Sequence, residues 1–287
     1  MLYTYLFILL TSACFIHSNG QGTIFIVHGA FAQNEPWYQP DGDFFKILAQ
    51  EALTQNYTLE SFTWSGIPEY TEVSNAAKKL AQKIIHKAHN KIILIGHSFG
   101  GNVIALTTNI LASINTTKQQ TTSHSAIAIL NNIVYYTEML KNLLYNQKDS
   151  TSSYEQPLIE HIFLLGTPII PLLYKPSCET VGHIWNIYSL QDKVQRLGGI
   201  SYRCLPAHTK VSNINLSLEH PDNNMPISPD HSELHNPLVA LWLLQLTHNK
   251  TLKKNNHHEL CFSTTQPPQL IADTAKRNLI NTLKHLW

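Results

Sequence analysis

The residues Gly96-His97-Ser98-Phe99-Gly100 stand directly after the apolar run 92–95 and before a segment whose apolar spacing resumes at Val103. A serine flanked by glycine two residues to either side, between a strand and a helix, has a mechanical meaning. The chain reverses so sharply that side chains at the flanking positions would collide, which Gly96 and Gly100 avoid. The hydroxyl of Ser98 is then presented at the carboxyl edge of a sheet, over the N–H groups of a helix start, where developing negative charge is favoured. The chemistry this suits is nucleophilic attack through a covalent intermediate. A phosphate-cradling loop is excluded, because Gly101-Asn102-Val103 stands where a Lys and a Ser/Thr would be needed.

A serine hydroxyl is a weak nucleophile unless a base, itself oriented by an acid, lies beside it. In a strand–elbow–helix arrangement the acid follows a later strand and the base follows the last one. Asp192 closes the strand-like "IWNIYSLQD" and meets the requirement for the acid. Asp222 and Asp230 are the alternatives, both in the histidine's own loop. His231 in "PDHSELHNP" comes at the start of the succeeding helical pattern and is the expected base. Its competitor is His235, one helical turn on and on the same face, but drawn further into the helix. The N–H groups of Phe99 and Ala30 form the expected oxyanion hole, with Gly29 of "VHGAF" permitting close backbone approach. His28 is expected to support that loop by hydrogen bonding, and His97 to pack.

The elements that must position these groups follow from periodicity. The apolar run 24–27 reads as a buried strand of a parallel sheet, "YTLESFTWSG" as a strand ending at 64–66, and 92–95 as the strand before the serine. Later strands are "HIFLLGTPI" (161–169), "HIWNIYSLQD" (183–192) and "VSNINLSL" (211–218). Helical spacing covers 43–54, 72–88, the segment after Ser98 through Ile110, and 234–246. Strands alternating with helices predict an α/β sheet of about six parallel strands, with helices on both faces. Residues 117–158 form a helical insertion between polar brackets, read either as a lid over a lipophilic acyl pocket or as an elongated packed helix. Residues 250–268 read as a polar linker, with "NNHHEL" (255–260) a solvated tract, and 269–287 as a last amphipathic helix docked on the same domain.

In this order, "IFIVHGAF", "FTWSG", "IILIGHSFGGNV", "FLLGTPI", "YSLQD" and "DHSELH" resemble the α/β-hydrolase superfamily, particularly its small serine esterases and lipases. The resemblance covers nearly all of 22–247 and fails over 117–158 and the tail. It implies a Ser98–His231–Asp192 triad, hydrolysis of a small-molecule or lipid acyl ester through an acyl-enzyme, and no cofactor. The two leading strands of larger members are expected to be missing. Thioesterase, amidase and acyltransferase chemistry use the same triad, and a hydrolase scaffold retained only for binding is the alternative outside enzymes.

Composition narrows the rest. With 43% apolar residues, 14% charged residues and a formal net charge of +1, a substantial core is available and there is no global field to attract nucleic acid. Residues 1–20 carry an uncharged apolar run that fits a secretory signal with cleavage after Gly20, so an exported protein is expected: secreted, periplasmic or anchored. "TSAC" also resembles a degenerate lipoprotein box, in which lipidation of Cys14 would give peripheral membrane association. In an oxidising compartment Cys178 and Cys204, flanking one predicted strand, form a disulfide candidate. No zinc spacing occurs, and "HSELH" lacks the Glu directly after its first His that a zinc protease needs; a structural cation around 219–235 stays an alternative.

Overall fold

The computed structural model describes residues 22–87, 91–119, 159–170, 172–196, 202–219, 225–249, 252, 257–263 and 269–270. The signal and lipidation expectations at 1–20 lie outside these residues. The chain runs β1 (Gly22–Val27), α1 (Asp43–Thr54), β2 (Tyr57–Phe62), α2 (Tyr70–His86), β3 (Lys91–His97) and α3 (Phe99–Gln119). It continues with β4 (Ile159–Leu165), β5 (Val181–Tyr188), β6 (Val211–Glu219), β7 (Pro226–Ile227), α4 (Pro237–Leu243), β8 (His257–Phe262) and β9 (Gln269–Leu270).

The strands assemble into one sheet in the order β2-β1-β3-β4-β5-β6-β8-β9, with β7 pairing β6. Every pairing from β2 to β8 is parallel; only the two-residue β7 and β9 pair antiparallel. The central strands are buried on both faces and alternate between two cores. Phe25, Val27, Ile92, Leu94, Ile162 and Leu164 face α2 and α3. Ile24, Ile26, Ile93, Ile95, Phe163 and Leu165 face α1 and α4. Helices therefore cover both faces, as the periodicity predicts.

Three expectations are corrected. Among the described residues the parallel strands number seven, because His257–Phe262 is a strand in register with Asn213–Leu218. "HHELCF" puts His258, Leu260 and Phe262 into the core and leaves His257 and Glu259 outside, an alternation that its polar flanks hid. Gln269–Leu270 belongs to β9, so no helix starts at 269, and 271–287 lie outside the described residues. The 234–246 helix is broken up into a 3-10 turn (Ser232–His235), α4 and a second 3-10 turn (Leu244–His248). Pro237 causes the break: it occupies the first helical turn and pushes Asn236 to φ −61°, ψ 143°. The Asn236 side chain then caps α4 by accepting from the Leu238 N–H at 2.9 Å.

From residue 120 onward the insertion lies outside the described residues. Its anchors do not. Because β3 and β4 are parallel, α3 must carry the chain back along the sheet. The end of α3 and the start of β4 therefore lie at the amino-terminal edge, opposite Ser98.

Candidate active site

Ser98 lies between β3 and α3 with φ +53°, a left-handed conformation disfavoured for any residue but glycine. Its N–H donates to Leu165 O at 2.9 Å, locking the elbow onto the adjacent strand. A Cβ at Gly96 would stand 2.7 Å from Gly101 N, and one at Gly100 would stand 2.3 Å from Val27 O. Gly96 is needed for the collision within the turn that the motif implied, and Gly100 because the carbonyls of Val27 and His28 pass against it. A third, Gly101, is needed as well: its Cβ would fall 1.9 Å from Thr167 Oγ1.

Asp192 follows β5 by four residues and is fully buried. Its Oδ2 accepts from His231 Nδ1 at 2.7 Å, and its Oδ1 accepts from Gln195 N at 3.1 Å. Arg203 Nη2 clamps the same turn by donating to Asp192 O at 2.8 Å and Leu190 O at 2.9 Å. The loop after β6 delivers His231, tied to the end of β5 by Ser189 Oγ donating to Pro229 O at 2.5 Å. The competing acid Asp230 is engaged in a reciprocal cap: its N–H donates to Glu233 Oε2 at 2.7 Å, and its Oδ1 accepts from Glu233 N at 2.9 Å. Asp222 lies outside the described residues.

Gly166, at φ +60°, closes the constellation. A Cβ there would sit 2.7 Å from Leu234 Cδ1, 3.0 Å from Asp192 Oδ2 and 3.2 Å from His231 Nδ1. It adjoins Leu165, whose carbonyl holds Ser98, so serine, carboxylate and imidazole converge on one junction at the carboxyl edge of β4. Among the hydrogen bonds of the described residues none joins Ser98 Oγ to His231; such contacts are often long in a free enzyme.

Ala30 follows Gly29 on the loop after β1, and a Cβ at Gly29 would stand 2.9 Å from Ser98 Cβ. Phe31 is left-handed at φ +57°, 73% exposed, and held by its N–H donating to Gly66 O at 2.9 Å. "FTWSG" thus props the loop that carries Ala30. His28 supports it too: Nδ1–H donates to Gly29 O at 2.8 Å, and Nε2 accepts from Trp64 N at 3.1 Å. Both ring nitrogens are occupied, which matches the supporting role expected of His28.

Beneath the site Trp37 stacks on His235, with centroids 4.6 Å apart and planes 11° apart. His235 is therefore a packing residue, not the partner of Asp192. Among the described residues no group of three or more His, Cys, Asp or Glu is placed to hold a metal ion. Cys178 and Cys204 are both unbridged thiols, correcting the disulfide candidate. The reason is topological: Cys178 precedes β5 and Cys204 follows it, so they occupy opposite ends of an eight-residue strand.

Burial lowers the pKa of His28, of His97 and of His235, the last to about 4. For His97, nearby His231 and His235 lower it further. In the unfolded chain these rings titrate near 6.5, so below that pH the unfolded state binds more protons than the folded one. Stability is thus full above about pH 7 and is lost as pH falls through 6.5 towards the folded values. The denaturant midpoint is expected to drop between pH 7 and pH 5, with proton uptake on unfolding of up to about three. A midpoint unchanged over that interval would contradict the buried neutral state of these rings.

An elbow serine after β3, an acid after β5 and a histidine after β6, on a parallel sheet with helices on both faces, define an α/β-hydrolase architecture. No family model matches the chain, and no curated protein matches it. Among solved structures it is similar to an α/β-superfamily hydrolase from Xanthomonas campestris pv. campestris, at 13% identity and a TM-score of 0.35, covering 60% of this chain and 74% of that one. It is similar to a metagenomic carboxyl esterase at 8% identity and TM-score 0.31, covering 61% and 51%. It is also similar to lipase B of Aspergillus fumigatus at 9% identity and TM-score 0.29, covering 77% and 45%. Overlaps this partial carry nothing about the reaction.

Proposed function

We propose that this protein is a serine hydrolase of carboxylic esters, with Ser98 as nucleophile, His231 as general base and Asp192 as the orienting acid. The observation that carries the reading is the 2.7 Å bond between fully buried Asp192 and His231 Nδ1, at the junction that also holds the Ser98 elbow. With Nδ1–H donated to the carboxylate, Nε2 is the imidazole nitrogen left as base. It takes the proton of Ser98 as Oγ attacks the acyl carbonyl, and Asp192 stabilises the imidazolium that forms. The N–H of Phe99, in the first turn of α3, and that of Ala30 receive the oxyanion, each such donor contributing about 2.7–4 kcal/mol in comparable sites. The imidazolium returns its proton to the leaving alcohol, and water repeats the sequence on the acyl-enzyme.

The substrate class in this reading is a small-molecule or lipid acyl ester. Export, argued from the uncharged apolar run within 1–20, belongs to the same reading. A fluorophosphonate probe tests the assignment directly. Wild type is expected to take up one phosphonyl group, on the peptide containing Ser98, in step with loss of turnover on a panel of p-nitrophenyl esters. No labelling by folded wild type would leave only a binding scaffold.

A further inference from the structure

His97 precedes the nucleophile and is 5% exposed, its ring enclosed by three others: Trp37 at 5.5 Å, His231 at 4.6 Å and His235 at 4.8 Å. Packing alone does not explain how its polar edge is used. His97 Nε2 lies 2.9 Å from the backbone carbonyl of His231. A carbonyl only accepts, so Nε2 carries the hydrogen and donates it. The covalent neighbour of the serine therefore holds the peptide of the residue read as the base, across 134 positions of sequence.

The two elements it joins otherwise meet through the Leu165–Gly166 junction. Ser98 is fixed by β3, α3 and Leu165 O. His231 sits in a loop between β6 and α4, not in a regular element, with its side chain hydrogen-bonded to Asp192 and its ring against that of His97. A bond from the side chain of residue 97 to the main chain of residue 231 sets the separation of the two groups more directly than the long path through β4, β5 and β6. Trp37 and His235, stacked on each other, pack edge-on against a further side of the ring.

We infer that His97 is a positioning residue: through its Nε2–H it holds the His231 backbone so that the imidazole can reach Ser98. This rests on the serine-hydrolase reading of the same site. It acts through His231 and is not itself a catalytic residue.

The test compares His97→Gln with His97→Asn. Gln places an amide N–H near the position of Nε2, whereas the shorter Asn places one near Nδ1; the two are alike in polarity. His97→Gln is expected to keep kcat on p-nitrophenyl butyrate within about threefold of wild type. His97→Asn is expected to lower kcat by about ten- to a hundredfold with KM within about twofold, the scale of a base displaced by about 1 Å. A second readout needs no turnover: the downfield proton resonance of His231 Nδ1–H, bonded to Asp192, is expected to persist in wild type and His97→Gln and to weaken or shift in His97→Asn. Equal kcat for the two folded variants, or an unchanged resonance in His97→Asn, overturns the inference. If wild type itself neither labels nor turns over, the hydrolase reading fails, and the resonance still decides whether His97 positions His231.

Discussion

Under the proposed function Ser98→Ala is expected to remove turnover of p-nitrophenyl esters, with kcat falling about 10⁶-fold, the scale found when a triad serine is deleted from a hydrolase that otherwise keeps its site. The fold should be untouched. The hydroxyl of Ser98 is not hydrogen-bonded to His231, and alanine tolerates φ +53° no worse than serine does. Ser98→Gly makes the point more sharply, since glycine enters the left-handed region freely. That variant is expected to be equally inactive yet more stable than wild type by about 1 kcal/mol, the strain released at one residue. Denaturant titrations beside the kinetic measurements separate the two effects. Retention of more than a thousandth of wild-type kcat by a pure Ser98→Ala preparation would place the nucleophile elsewhere.

Asp192→Asn is the second large effect, expected at about 10⁴-fold in kcat with KM little changed. The loss comes from the tautomer. Asp192 Oδ2 accepts from His231 Nδ1–H, whereas an amide NH₂ turned to the same nitrogen would demand an acceptor there and move the imidazole hydrogen to Nε2. A base protonated at Nε2 cannot receive the proton of Ser98. The Gln195 N–H, which bonds Oδ1, would hold an asparagine in this orientation by occupying its carbonyl oxygen. Correspondingly, the rate of phosphonylation should fall with kcat. Activity within tenfold of wild type would mean that the Asp192–His231 pair is structural and not part of the reaction.

The elbow was legible because its demands are local. Gly96, Ser98 and Gly100 fall within five consecutive residues, and an apolar run before them and helical spacing after them suffice to identify the turn. The bonded pair Asp192 and His231 was legible for a different reason: a parallel sheet gives a carboxylate and an imidazole that are to meet near Ser98 few places, each at the carboxyl end of a later strand. What stayed hidden was relational. Gly166 reads as an ordinary residue after "FLL", and only its proximity to Leu234, Asp192 and His231 explains why no side chain fits there. His97 reads as a packing histidine until its Nε2 is found 2.9 Å from the carbonyl of residue 231. Similarly, β8 escaped notice because its alternation, "HHELCF", carries two histidines and a glutamate, and the apolar half becomes significant only beside β6.

The pattern of residues by itself determined the class of architecture, the serine at the elbow, and which carboxylates and histidines were candidates to join it, since periodicity and steric exclusion at a tight turn are properties of neighbours in the chain. Tertiary structure alone decided between candidates and removed others. It bonded Asp192 to His231 and gave Asp230 to a cap, put His235 against Trp37, kept Cys178 and Cys204 at opposite ends of a strand, and added a seventh parallel strand. Hydrogen bonds and ring contacts form between groups that are distant in sequence, so their geometry is set by how the sheet is packed and not by any spacing along the chain.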